Sequence, residues 1–98
     1  MAYDKALAAL ADPTRRKLFE RVRREEHTVG ELARVLRVSQ PAVSQHLRVL
    51  RGARLINERR EGTRSFVSAR PEGLLELRRY LDSMWDDVLA AYAKEKDA

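Results

Sequence analysis

Two helix-start signals near the middle of the chain most constrain its fold. Thr28 and Glu31 form a capping box, in which each side chain satisfies a backbone amide that the helix itself leaves unpaired. A second helix starts at Ser39 or Gln40, because Pro41 suits a first turn, where no intrahelical amide is needed. Only about two turns of helix fit between these starts. The sequence therefore predicts a helix-turn-helix.

The remaining elements are read from apolar periodicity and turn residues. We expect helices over residues 3–11, 13–24, 29–37 and 40–51, a hairpin with strands at 55–60 and 64–68, and a long helix from about 74 to 94. Gly62 marks the hairpin turn, and Pro71-Glu72-Gly73 is expected to end the hairpin. The pattern predicts one mainly α domain over residues 1–98, a winged helix-turn-helix in the order α-α-α-α-β-β-α. The helix-turn-helix is placed at 29–52 and the wing at 55–68.

The composition excludes several classes of function. The chain has no cysteine and two histidines, His27 and His46, which removes thiolate metal sites, disulfides and thiol redox sensing. We therefore expect no metal site and no cofactor. No arrangement of paired carboxylates, Ser-His-Asp or a phosphate loop suggests an enzyme. No apolar run is long enough to cross a bilayer, and the start of the chain does not resemble a signal peptide, so a cytoplasmic protein without a membrane partner is expected.

Positive charge is concentrated in the middle of the chain. The net charge is +5, but residues 31–70 carry nine arginines against three glutamates, a balance of +6. Residues 71–98 carry four basic and seven acidic residues, a balance of −3. This distribution favours a polyanion-binding surface over the middle segment, although an arginine-rich solvated surface would give the same balance.

The second helix of the motif has one face without carboxylates. With Val43 at the centre of the buried face, Leu47 and Leu50 fall within about 40° of it at 100° per residue. The far side carries Gln40, Ser44, Gln45, Arg48 and Arg51. Gln can pair with adenine and Arg with guanine through two hydrogen bonds. No acidic residue occurs between Glu31 and Glu58, whereas a merely solvated helix usually mixes both signs. This face therefore predicts base reading in double-stranded DNA.

The hairpin supplies a second basic surface. Arg59, Arg60 and Arg64 cluster around its turn, where guanidinium groups suit phosphates or a narrow minor groove. An exposed hairpin without a partner is the alternative. We expect a wing that contacts DNA beside the reading helix.

The terminal helix has two apolar stripes. One consists of Leu74, Leu77, Leu81, Met84, Val88 and Ala91, and the other of Leu75, Trp85, Leu89 and Tyr92. We expect one stripe to cover the domain's own core and the other to meet a second copy, together with the first helix; a helix buried in its own fold is the alternative. The predicted homodimer interface consists of Tyr3, Leu7, Leu77, Leu81, Met84, Trp85 and Val88.

Three segments resemble the ArsR/SmtB family of winged-helix repressors. Residues 10–18 are similar to the family's opening, 38–50 to its recognition helix and 59–64 to its wing turn, and the resemblance extends over roughly residues 5–92. It implies a homodimer that binds an inverted-repeat operator near its own or a neighbouring promoter. Transferred residue by residue, it implies DNA contacts by Ser39, Gln40, Ser44, Gln45 and Arg48, with Arg64 in the wing.

The chain departs from the family at two places. Ala33 and Val35 stand where many metal-sensing members carry cysteines, and the terminal helix has no histidine, so the chain resembles the sensor-free, autorepressor-type branch. Arg54 stands where relatives usually have glycine before the wing strand, and we expect Gly52 to terminate the recognition helix instead.

The most consistent interpretation is a sequence-specific transcriptional regulator. A non-specific structural DNA binder would need the basic surface but not the Gln and Ser reading pattern. A winged helix used only for protein interaction would tolerate carboxylates on the outer helix face. The sequence names neither the operator nor an effector.

Overall fold

A computed structural model describes residue 1 and residues 3–97 and confirms the mainly helical winged helix-turn-helix. The elements are α1 (Tyr3–Ala11), α2 (Pro13–Val22), β1 (His27–Thr28), α3 (Val29–Leu36), α4 (Gln40–Gly52), β2 (Ile56–Glu61), β3 (Arg64–Ala69) and α5 (Pro71–Asp97). One strand was not predicted. The two-residue β1 pairs antiparallel with β3, which makes the hairpin a three-stranded sheet in the order β1-β3-β2.

Side-chain caps begin α2 and both helices of the helix-turn-helix, α3 and α4. The carboxylate of Asp12 accepts a hydrogen bond from the backbone N–H of Arg15 at 3.0 Å, and Pro13 follows in the first turn of α2. The Thr28 hydroxyl accepts from the N–H of Glu31 at 3.1 Å, and that of Ser39 accepts from the N–H of Ala42. Ser39, rather than Gln40, is therefore the cap of α4.

The core lies between α2, α3, α4 and the sheet. The predicted stripe of α4 is confirmed, because Val43, Leu47 and Leu50 are all fully buried. The other fully buried large side chains are Leu18, Leu32, Leu55, Ile56 and Val67. This packing exposes the opposite side of α4 to solvent and places the wing beside α4.

The connection between α4 and β2 differs from the expectation. Gly52 lies inside α4, and Ala53 is its C-cap. Arg54 itself adopts the left-handed conformation with φ 60°, a region that glycine enters without steric cost. Arg54 thus takes a conformation that glycine would adopt more easily.

The last helix begins earlier than expected, at Pro71 rather than near residue 74. Proline suits a first helical turn, so Pro-Glu-Gly opens α5 instead of ending the hairpin. The N–H of Gly73 donates to the carbonyl of Arg54 at 2.9 Å. A Cβ at this glycine would lie 2.1 Å from the Ala53 carbonyl oxygen, so a side chain has no room there.

Only the first part of α5 packs on the rest of the chain. Tyr80 stacks on Tyr3 of α1, with ring centroids 3.8 Å apart and planes 4° from parallel, and Leu77 is 8% exposed. Residues 81–96 are all exposed. The molecule measures 63 × 23 × 22 Å because this part of the helix projects beyond the packed elements. Within the described residues, no helix combines the length and apolar character that spanning a membrane requires.

Candidate nucleic-acid interface

An open groove runs between α4 and the wing. Its walls come from the start of α3, the outer side of α4 and both strands of the hairpin, and its polar lining includes Arg34, Gln40, Ser44, Glu58, Arg60, Thr63, Arg64 and Ser65. Four of the residues predicted to contact DNA therefore line one surface: Gln40, Ser44, Arg60 and Arg64. The buried stripe of α4 turns Gln40 and Ser44 toward the groove, and strand alternation does the same for Arg60. Arg64 reaches the groove from the start of β3, beside the hairpin turn.

The exposed side of α4 carries all of its predicted reading residues. Ser39, Gln40, Ser44, Gln45, Arg48 and Arg51 are exposed, and none of them is needed for the core. At 100° per residue, Gln40, Ser44 and Arg48 fall within about 80° of one another, and Gln45 lies further round. The arrangement offers amide, hydroxyl and guanidinium groups to a partner from one helix face.

Arg51 has a carboxylate partner that sequence reasoning missed. Its Nη1 lies 3.1 Å from Oε1 of Glu58 on β2. The hydroxyl of Ser65 donates to the other oxygen of the same carboxylate at 3.4 Å. A carboxylate therefore stands in the groove wall opposite the carboxylate-free face of α4. The ion pair joins the end of the recognition helix to the wing.

Arg60 does not lie with Arg59 on the wing. Arg59 and Arg60 are consecutive strand residues, so their side chains point to opposite faces of the sheet. Arg60 and Arg64 line the groove. The guanidinium groups of Arg59 and Arg64 both lie over the ring of Phe66, 4.6 Å and 5.0 Å from its centroid. The period of two along β2 would have separated Arg59 from Arg60 from the sequence alone.

The guanidinium of Arg59 is held by two carboxylates. Its Nη2 donates to Glu26 at 2.8 Å, and its Nη1 forms an ion pair with Glu61. Its hydrogen bonds to the Glu61 carboxylate and then to the Glu26 carboxylate raise the pKa of Arg59 above its usual value. This arginine is charged at every physiological pH, and its charge is already compensated.

Neither histidine lies in a metal-binding cluster. Nδ1 of His27 lies 3.1 Å from a carboxylate oxygen of Glu31, and its Nε2 lies 3.7 Å from Glu25. The hydrogen bond with His27 is the largest influence that lowers the pKa of Glu31. His46 is half-buried on α4. In the part of the chain that the structure describes, no three His, Asp or Glu side chains are grouped to hold a metal ion.

The predicted dimer residues fall into two groups. Leu7, Leu81, Met84, Trp85 and Val88 are between 39% and 64% exposed, and the last four form one apolar surface on α5 together with Asp82. Tyr3 and Leu77 instead pack within their own chain. The expected division of α5, with one stripe on its own core, fails beyond Tyr80, because both stripes are exposed there.

Comparisons with known proteins agree with this architecture. Residues 12–58 match the family model described as bacterial regulatory protein, arsR family. An HTH-type transcriptional regulator of Mycobacterium tuberculosis is 50% identical over 95 residues, which cover 97% of this chain and 89% of that protein. A crystal structure named as a possible transcriptional regulator for arsenical resistance has a TM-score of 0.74 and 39% identity, covering 87% of this chain and 93% of that one.

The expected autorepressor-type branch has a more partial counterpart. The transcriptional repressor SdpR of Bacillus subtilis is 37% identical over 54 residues, which cover 55% of this chain and 60% of that protein. The near full-length likeness to the mycobacterial regulator establishes the family more firmly than it establishes the branch. The chain belongs to the ArsR family of bacterial regulatory proteins, and it is a sequence-specific DNA-binding transcriptional regulator.

Proposed function

We propose that this regulator is a cytoplasmic homodimeric repressor that binds an inverted-repeat operator at its own or a neighbouring operon. The observation that carries the proposal is the exposed, carboxylate-free face of α4 beside the groove-lining arginines of the wing. Relatives of this chain include proteins named as repressors, which supports repression as the outcome.

Base reading is assigned to the exposed side of α4. Gln40, Gln45 and Arg48 supply the amide and guanidinium groups that form two-point hydrogen bonds with adenine and guanine in the major groove. Ser39 and Ser44 are assigned to bases or phosphates at the N-terminal part of the helix, where exposed backbone amides also favour an anion. This set distinguishes a sequence reader from a binder of phosphates alone.

The groove-facing arginines are assigned to the DNA backbone or the minor groove. Arg60 and Arg64 are exposed, lie beside α4, and have no carboxylate partner among the residues that the structure describes. Contacts of this kind fix the position of a protein on the duplex without reading its sequence directly. They add affinity that falls steeply with salt.

The second copy is assigned to the projecting part of α5. Leu81, Met84, Trp85 and Val88 expose apolar surface on a helix that its own chain leaves uncovered, and Leu7 of α1 is also exposed. A second copy of the same helix covers such a surface symmetrically, as in most two-fold dimers. A two-fold dimer presents two α4 helices to DNA, which is why an inverted repeat is the expected operator.

Recovery and sequencing of genomic fragments bound by the purified protein would define the operator. Affinity is then compared for the operator and a scrambled duplex of the same composition. We expect clear discrimination by the wild type, reduced by about 1–3 kcal/mol in Arg48→Ala if the two-point base contact is lost. Arg79→Ala removes the same charge from an exposed site on α5 and should preserve discrimination. Equal affinity of the wild type for both duplexes would identify a non-specific structural binder.

A further inference from the structure

Arg59 spans the outer face of the three-stranded sheet. It pairs with Phe66 of β3 in the β2–β3 register, and Phe66 pairs with Thr28 of β1. From β2 the guanidinium passes over the Phe66 ring and reaches Glu26, just before β1, at 2.8 Å. One side chain thus links the outer wing strand to the connection between α2 and β1, a sequence separation of 33 residues.

The charge of Arg59 is used within the protein. Both terminal nitrogens of its guanidinium have carboxylate partners, Glu26 and Glu61, and its face lies against an aromatic ring. A phosphate contact would have to displace these partners or share their donors. Arg60 differs, because it lines the groove and has no carboxylate partner among the described residues.

We propose that Arg59 and Glu26 form a brace that fixes the angle of the wing, and that Arg59 is a positioning residue rather than a DNA contact. The proposal rests on the DNA-binding function proposed above. Glu26 then supports DNA binding by holding Arg59, whereas its negative charge alone would weaken binding by repelling phosphates. The brace holds β2 and β3 from the face opposite the Arg51–Glu58 pair, so the wing is fixed from both sides.

The brace and simple electrostatics predict opposite results for Glu26→Gln. Loss of a negative charge alone strengthens DNA binding, whereas loss of the brace weakens it because the free wing must be ordered on binding. We expect Glu26→Gln to weaken operator binding about threefold to tenfold, the range of one or two exposed charge contacts. Glu20→Gln, at an exposed glutamate on α2 without a described ion pair, is the matched control. It should bind as tightly as the wild type or more tightly.

The salt dependence of binding separates Arg59 from a phosphate contact. The slope of log K against log salt falls by about 0.9 for each lost phosphate contact. We expect Arg60→Gln to reduce the slope by about this amount. Arg59→Gln should weaken binding while leaving the slope unchanged, and combining it with Glu26→Gln should cause little further loss. A slope that falls equally in Arg59→Gln and Arg60→Gln, or tighter binding by Glu26→Gln, would overturn the proposal.

Hydrogen exchange of the free protein tests the brace without DNA. Arg59→Gln and Glu26→Gln should speed exchange of the β2 and β3 amides, and Glu20→Gln should not. Unchanged exchange in both brace variants would contradict a positioning role. Failure of the wild type to prefer its operator would instead count against the proposed function, so the two failures are distinguishable.

Discussion

The winged helix-turn-helix and the projecting part of α5 use apolar residues in opposite ways. Between Asp12 and Arg70, the large aliphatic residues that close the core are fully buried, including Leu47 of α4 and Ile56 of β2. On α5, Leu81 is 50% exposed and Trp85 is 64% exposed. The first region completes its core within one chain, whereas the second leaves an apolar helix uncovered. The difference fits the proposal that DNA binding and pairing with a second copy use separate parts of the fold.

The boundary between these two regions is narrow. Leu77 is buried against the core, and one turn later Leu81 is exposed. Most of the stability of a helix in a protein comes from packing of its apolar face rather than from intrinsic propensity. The helix beyond Tyr80 lacks this packing within its own chain, and the proposed second copy would supply it.

The largest effect is expected from placing a charge on the projecting helix. Leu81→Glu should prevent pairing, because a buried unpaired carboxylate is costly in an apolar interface. A monomer with one reading helix should lose operator affinity by about a hundredfold or more, since the linked second contact is lost. Sedimentation and operator titration measure both effects.

The matched control for this variant is Ala90→Glu, which adds the same charge about 180° from Leu81 around the helix. It should remain dimeric and bind DNA. Circular dichroism should show the helix-turn-helix region of Leu81→Glu still folded. A Leu81→Glu protein that sediments and binds DNA like the wild type would show that the apolar surface of α5 does not mediate pairing.

A smaller effect is expected where the two regions join. Gly73→Ala places a Cβ 2.1 Å from the Ala53 carbonyl oxygen, so either α5 or the turn before β2 must shift. Such overpacking costs about 1–3 kcal/mol in the free energy of unfolding. Gly52→Ala is the control, because no atom lies within 4 Å of its added Cβ. Denaturant unfolding should show Gly73→Ala destabilised and Gly52→Ala unchanged or stabilised. A destabilised Gly52→Ala beside an unchanged Gly73→Ala would contradict the close packing of Gly73 on the Ala53 backbone.

The smallest effect is expected in acid and concerns the start of α2. The hydrogen bond from the Arg15 N–H, with help from the charges of Arg15 and His46, lowers the pKa of Asp12. The ionised Asp12 carboxylate therefore adds stability above about pH 3.9, its pKa in the unfolded chain. That stability is lost as the pH falls through the lower pKa that Asp12 has in the folded protein. Asp12→Asn keeps a capping oxygen but should flatten the pH dependence of stability in that range.

The parts of the fold that local chemistry determines could be predicted from the sequence. The caps at Asp12 and Thr28 act on amides three residues ahead, and the buried stripe of α4 follows from helical spacing. The residues on the exposed side of α4 could therefore be predicted from the sequence. These features need no information about distant residues.

The features that were missed depend on residues far apart in the chain. Strand β1 exists through its pairing with β3, and two residues carry no periodicity of their own. Local turn chemistry predicts that Pro71-Glu72-Gly73 ends the hairpin. The close approach of Gly73 to the Ala53 backbone is a tertiary contact, which local chemistry does not reveal. Arg51 pairs with Glu58, and Arg59 pairs with Glu26, across different elements of the fold. The shared charge of Arg59 and Arg60 also grouped two side chains that strand alternation separates.

The stoichiometry of the operator complex shows directly whether two copies of the chain bind DNA together. Sedimentation of labelled duplexes with increasing protein would count the protomers on the complete inverted repeat and on a single half-site. We expect two protomers bound together on the complete site and binding to the half-site weaker by about two orders of magnitude or more. One protomer on the complete site, with the half-site bound equally well, would contradict it.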